Sequence, residues 1–137
     1  MSEPREFSVP VTVEFEDVDI YRIGHHTRLV AFLERARLRF FTSMGFEGIE
    51  NPEVVPVIYD IEMRFVRPVL MLEELTVSVF VIDYDDFRLR LGYRIRRGGE
   101  TVARARSSIA FMDPETRSLT AAPESHIAML ERFLAGD

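Results

Sequence analysis

Residues 27–44 read Thr27-Arg-Leu-Val-Ala-Phe-Leu-Glu-Arg-Ala-Arg-Leu-Arg-Phe-Phe-Thr-Ser-Met44, and their period decides the fold class. Leu29, Leu33, Ala36, Phe40 and Met44 recur at the three- and four-residue spacing of one helix stripe, while Arg28, Arg35 and Arg39 fall off it. Val30, Phe32 and Phe41 widen the stripe, so the helix is expected to be buried over more than half its girth. Thr27 or a neighbour can cap its start, and Gly45 suits its C-terminal end.

On the N-terminal side, Phe7, Val9, Val11, Val13 and Phe15 alternate with Ser8, Pro10, Thr12 and Glu14, the period of a half-buried strand. Pro10 cannot donate a ladder hydrogen bond, which places this strand at an edge or gives it a bulge. On the C-terminal side, Val57, Tyr59, Ile61, Met63 and Phe65 alternate with Ile58, Asp60, Glu62 and Arg64. Residues 75–82 form a nearly continuous apolar run, and Asp83-Tyr-Asp-Asp86 reads as a polar turn after it. Phe87, Leu89, Leu91, Tyr93 and Ile95 alternate with Arg88, Arg90, Gly92, Arg94 and Arg96, and residues 101–112 follow the Gly98-Gly99 turn. The tail from Pro123 to Leu134 predicts a short amphipathic helix with Ile127, Leu130, Phe133 and Leu134 inward and His126 toward solvent. One strand, one long helix and then four strands describe an antiparallel sheet wrapped around a central helix, the hotdog architecture of the α+β class. A ferredoxin-like fold would need a second full helix between the middle strands, and residues 66–74 are too short for it. The length of 137 residues suits a single domain, expected over residues 1–137.

The last hairpin permits a prediction of register. A two-residue Gly98-Gly99 loop with regular pairing would set Tyr93 against Arg104 and Leu91 against Arg106, mixing apolar and charged faces. A shift by one pairs Tyr93 with Ala105, Leu89 with Ile109 and Phe87 with Phe111, and puts Arg94 on the face of Arg104. A buried face fixes register strongly, so an odd-numbered loop with a bulge is expected.

Composition removes several function classes. The net charge of −6 argues against a nucleic-acid binder built on phosphate contacts. Cys is absent, which excludes disulfides, thiolate metal sites and a Cys nucleophile. All 17 basic residues are Arg, which excludes a Schiff-base lysine and is most simply a mark of base composition. Met1-Ser-Glu-Pro-Arg-Glu-Phe7 lacks the apolar core of a signal peptide, and no apolar run reaches the length of a membrane span. A cytoplasmic, soluble protein is expected.

The chemistry is concentrated between the first strand and the helix, in Phe15-Glu-Asp-Val-Asp-Ile-Tyr-Arg-Ile-Gly-His-His-Thr-Arg-Leu29. Read as local structure alone, Asp17 and Asp19 would cap the turn before the helix, and His25 and His26 would be loop residues. Asp19, His25 and His26 could in principle hold a metal, but neighbouring histidines in an extended loop point apart, so no metal site is expected.

This stretch resembles the 4-hydroxybenzoyl-CoA thioesterase family of hotdog proteins, and within it the bacterial acyl-CoA thioesterase subgroup associated with the Tol–Pal system. That subgroup reads approximately Tyr-Glu-Asp-Thr-Asp, six residues, His, then a helix ending Phe-Tyr-Glu-Arg-Ala-Arg. Here Phe15-Glu-Asp-Val-Asp19 is followed by six residues, His26 and Phe32-Leu-Glu-Arg-Ala-Arg37, without a gap. The resemblance implies an acyl-CoA or aroyl-CoA thioesterase that needs no metal or organic cofactor and assembles as a homodimer or homotetramer with sites between subunits. It implies that Asp19 is the catalytic carboxylate and that His26 hydrogen-bonds substrate or orients water, with Asp17 structural. Backbone N–H groups at the helix start would face the thioester oxygen. The family commonly has glycine where Arg22 stands, an aromatic residue where Leu29 stands, and an apolar residue and a Tyr where Gly24 and His25 stand. Arg22, Gly24 and His25 are therefore the substrate-binding positions where specificity is expected to diverge. Arg64 and Arg67 are candidates for the CoA phosphates. The arginine face of the last hairpin (Arg88, Arg90, Arg94, Arg96, Arg104, Arg106) admits a solvated surface, an oligomer contact or phosphate binding. Three other readings differ in chemistry: a carrier-protein thioesterase, a hotdog dehydratase or hydratase acting on the acyl chain, and an acyl-binding protein without turnover.

Overall fold

A computed structural model describes residues 5–43 and 54–122, with 124, 127, 128, 130 and 131 of the tail. Strand β1 (Phe7–Thr12) leads through a 3-10 turn at Phe15–Asp17 to helix α1 (His26–Ser43). Four strands follow: β2 (Val55–Phe65), β3 (Glu74–Tyr84), β4 (Arg88–Arg97) and β5 (Glu100–Met112). They form one antiparallel sheet in the order β1-β3-β4-β5-β2, so the expected hotdog arrangement of one long helix on a five-stranded sheet is present.

The helix buries Leu29, Phe32, Leu33, Ala36, Phe40 and Phe41. Opposite them lie Leu75, Val77, Val79 and Val81 of β3 and Leu89, Leu91, Tyr93 and Ile95 of β4, all buried. Each such aliphatic or aromatic side chain contributes about 1.5–3 kcal/mol by leaving water. Within this core the Tyr93 hydroxyl and Ser107 Oγ are hydrogen-bonded at 2.6 Å, which satisfies both. Leu130 of the tail is also fully buried and Ile127 packs against the core. Met44, Gly45, Pro123, His126, Phe133 and Leu134 lie outside the described residues. No helix among the described residues is long and apolar enough to cross a membrane.

β1 is an edge strand, which accommodates Pro10 opposite Thr76. The strand ends earlier than its alternation suggests. Val13 still bonds across to the β3 side, donating its N–H to Glu73 O at 2.9 Å, but Phe15 sits in the 3-10 turn, 79% exposed. In the last hairpin the expected register holds: Tyr93 faces Ala105, Leu89 faces Ile109 and Arg94 faces Arg104. The odd-numbered loop does not. Arg97 pairs with Glu100 across a two-residue Gly98-Gly99 loop, and Gly98 takes φ +61°. The required shift comes from a bulge between Ile95–Ala103 and Arg96–Thr101, which absorbs Val102. The polar run after β3 is also split: Asp83 and Tyr84 belong to the strand, while Asp85 Oδ1 accepts the Phe87 and Arg88 N–H groups in the turn.

Candidate active site

The segment between β1 and α1 is held by two aspartates in different ways. Asp17 is buried; its Oδ2 accepts the Glu14 N–H at 2.8 Å and its Oδ1 pairs with Arg28 Nε at 2.8 Å. Its carbonyl accepts the His25 N–H at 2.8 Å. The 3-10 turn is thereby tied to the first turn of α1, which is a structural task. Asp19 is half-buried, and its Oδ1 accepts the N–H groups of Tyr21 at 2.8 Å and Ile23 at 3.3 Å. Its Oδ2 has no protein partner among the described residues. The carboxylate is oriented through one oxygen while the other is open.

This loop closes on itself through Asp19 N–H to Ile23 O at 3.0 Å and Arg22 N–H to Asp19 O at 2.9 Å. The closure requires φ +64° at Arg22, a left-handed conformation that glycine adopts without the penalty a Cβ brings. Gly24 then donates its N–H to Val69 O at 2.7 Å, docking the loop on the β2–β3 connection. A Cβ at Gly24 would lie closer than 3.0 Å to Val69 Cγ2.

The helix cap is His25, a neighbour of Thr27. His25 Nδ1 accepts the Thr27 N–H at 3.2 Å and lies 2.7 Å from Thr27 Oγ1, and its carbonyl accepts the Arg28 N–H at 2.9 Å. With Thr27 and Arg28 so engaged, His26 carries the one first-turn N–H without a protein acceptor among the described residues. The two imidazoles do not point apart: His25 and His26 stack with centroids 4.4 Å apart, and His26 meets the Phe65 ring edge-on at 6.2 Å. A cap residue followed by the first helical residue places the rings side by side, where an extended loop would have separated them. Among the described residues no group of three or more His, Asp or Glu side chains is arranged to hold a metal ion.

Asp19, Gly24, His25, His26 and Arg67 share the lining of an open cavity of about 410 Å³. Arg22 and Arg64 do not line it: Arg22 is exposed beyond the loop, and Arg64 lies on the opposite face of the sheet from Phe65. Arg67 Nε is 3.4 Å from Glu100. The rest of the lining, Ile23, Leu29, Phe65, Val66, Pro68 and Val69, supplies an apolar wall beside the polar end. Of the 66–69 segment the sequence reading singled out Arg67 alone; Val66, Pro68 and Val69 escaped it because a connection carries no periodicity, and their place follows from the Ile23–Leu70 bridge.

Residues 13–133 match the family described as the thioesterase-like superfamily. The chain is 26% identical over 109 residues to YneP of Bacillus subtilis (strain 168), a candidate acyl-CoA thioesterase, with 77% of this chain and 79% of that one covered. Among solved structures, a Staphylococcus aureus protein in complex with CoA superposes with a TM-score of 0.87 at 20% identity, covering 98% of this chain and 89% of that one. A 1,4-dihydroxy-2-naphthoyl-CoA thioesterase from Synechocystis superposes with a TM-score of 0.81 at 14% identity, covering 92% and 96% respectively. A family match that takes in the aspartate loop, helix α1 and strands β2 to β5, on a shared fold, makes this chain a member of the thioesterase-like superfamily, a hotdog-fold thioester hydrolase.

Proposed function

We propose that the chain hydrolyses an acyl-CoA or aroyl-CoA thioester with Asp19 as the catalytic carboxylate, in the manner of the 4-hydroxybenzoyl-CoA thioesterase family and its Tol–Pal-associated subgroup. The observation that carries this reading is the pairing of an open carboxylate oxygen on Asp19 with an unengaged N–H on His26 in one cavity. Hydrolysis needs both: a base or nucleophile at the carbonyl carbon and a donor at its oxygen. In the base route, Asp19 Oδ2 takes a proton from water as the water oxygen bonds to the carbonyl carbon. Collapse of the tetrahedral intermediate then breaks the C–S bond, and the sulfur leaves as a thiol with the proton that Asp19 had taken from water. In the nucleophilic route, Oδ2 itself bonds to the carbon, the C–S bond breaks and the thiolate leaves to take a proton from solvent; water then hydrolyses the mixed anhydride and returns the Asp19 carboxylate. The His26 N–H, at the positive end of α1, stabilises the oxyanion in either. His26's ring and Arg67 line the cavity where substrate would sit, and the apolar wall from Leu29 to Val69 suits an acyl group.

Assembly as a homodimer or homotetramer belongs to the same reading. Strand β2 is a sheet edge that exposes Val57, Tyr59, Ile61 and Phe65, an edge that a second copy would cover. Sedimentation analysis tests it, and a monomer at micromolar concentration refutes it.

The decisive experiment measures thiol release from a panel of aliphatic and aromatic acyl-CoAs. Asp19→Asn keeps the Oδ1 acceptor for Tyr21 and Ile23, so it should fold normally and lose roughly 10²-fold or more in turnover. Full activity in that variant overturns the assignment. Hydrolysis of acyl-carrier substrates alone would move the activity to a carrier-protein thioesterase.

A further inference from the structure

On the face of the sheet turned away from α1, register sets arginine opposite arginine across three strands. Arg94 of β4 faces Arg104 of β5, and Arg104 faces Arg64 of β2. Side chains directly opposite in antiparallel strands share a face with Cβ atoms about 4.5–5.5 Å apart, where like charges repel. Two neighbouring charges are compensated within the protein. Arg94 has Glu6 at 3.3 Å and the Phe80 ring at 5.7 Å, and Arg106 is held by Glu62 at 2.8 Å. Arg64 and Arg104 have no hydrogen-bond or ion-pair partner among the described residues; Glu62, whose hydrogen bond goes to Arg106, is within electrostatic reach of Arg64 alone of the two. They line, with Glu62, Met63, Ala105 and Arg106, an open groove of about 420 Å³. Three guanidinium groups and one carboxylate, already engaged, leave that groove positive on a chain whose net charge is −6.

We propose that this groove binds a phosphate-bearing anion, with Arg64 and Arg104 as its principal donors. A guanidinium offers paired N–H donors that match two phosphate oxygens, and a bound anion removes the repulsion between the facing arginines. The phosphate has two possible sources, the nucleotide end of a CoA substrate or a separate phosphorylated small molecule. The site itself does not depend on Asp19, which lies on the other side of the sheet; the first source does rest on CoA being the substrate's thiol.

The test is thermal unfolding of wild type, Arg64→Gln and Arg104→Gln, with inorganic phosphate, adenosine 3′,5′-bisphosphate and CoA, each against sodium chloride at matched ionic strength. An anion bound only by the folded state raises Tm with its concentration. The expected result is a rise beyond the chloride control in wild type that both variants lose. Without phosphate, Arg104→Gln should match or exceed wild type in Tm, because repulsion is relieved. A response equal to chloride, or one that survives in both variants, overturns the proposal. A several-fold rise in KM for acyl-CoA in Arg104→Gln assigns the groove to the substrate's own phosphates. Loss of the phosphate response with KM retained assigns it to a separate ligand. Asp19→Asn should keep the phosphate response, so failure of the catalytic assignment is distinguishable from failure of this one.

Discussion

Gly24 donates its N–H to Val69 O at 2.7 Å, and the Val69 side chain fills the space a Cβ on Gly24 would need. The aspartate loop is thereby seated directly on the wall of its own cavity. Gly24→Ala must displace either the loop or Val69, and overpacking of this kind costs about 1–3 kcal/mol. The expected outcome is a fall in Tm of several degrees together with a fall in kcat/KM larger than that of a control substitution at exposed Glu16. Wild-type Tm and kinetics in Gly24→Ala would show that the contact does not hold the loop.

Arg22 sits at φ +64° with its side chain in solvent. A left-handed conformation costs a residue with a Cβ roughly 1–2 kcal/mol, while glycine gives back about 0.5–1 kcal/mol through its freer unfolded chain. Arg22→Gly should therefore raise stability by up to about 1 kcal/mol, and Arg22→Ala should not. Chemical denaturation of the two variants measures the difference. Equal midpoints would sink the strain argument. A loss of substrate affinity in both variants would assign Arg22 a binding role in addition.

The sheet, the helix and the register of the β4–β5 hairpin were legible because apolar periodicity is a direct image of burial: Leu89 opposite Ile109 and Tyr93 opposite Ala105 could face the core in only one way. The loop length was not, since the bulge that sets the register falls at Val102, a buried apolar residue that leaves no break in the pattern. The position of Asp19 before the helix was readable from its motif. The cap was not, because His25 fills a role that Ser, Thr, Asn or Asp usually takes, and only the placement of its Nδ1 reveals it. The apolar wall at Val66–Val69 was equally hidden, being set by a tertiary contact with Ile23 and Gly24.

Asp17 and Asp19 stand two residues apart and should separate cleanly by experiment. Asp17→Ala removes the acceptor for Glu14 N–H and Arg28 Nε. The Arg28 side chain is 41% exposed and can turn to water, so the cost lies near 2–3 kcal/mol, below that of breaking a fully buried pair. Asp19→Asn should leave Tm nearly unchanged while removing activity. Urea denaturation beside thioester hydrolysis checks both, and a large stability loss at Asp19 with little at Asp17 would reverse the roles.

Acid should weaken the fold through its surface ion pairs. The Arg106 hydrogen bond holds Glu62 below its ordinary pKa of 4.5, the Arg90 hydrogen bond holds Asp83 below 3.8, and the Arg97 hydrogen bond holds Glu100 below 4.5. A carboxylate whose folded pKa is depressed adds stability that is complete above its unfolded pKa. That stability disappears as pH falls through the folded value. Tm should therefore decline as pH drops from about 5 toward 3, and the double variant Glu62→Gln, Asp83→Asn should decline less steeply. Because all three groups are largely solvated, added salt should shrink their share of the effect. Parallel slopes for the double variant and wild type at low ionic strength would locate the acid sensitivity elsewhere.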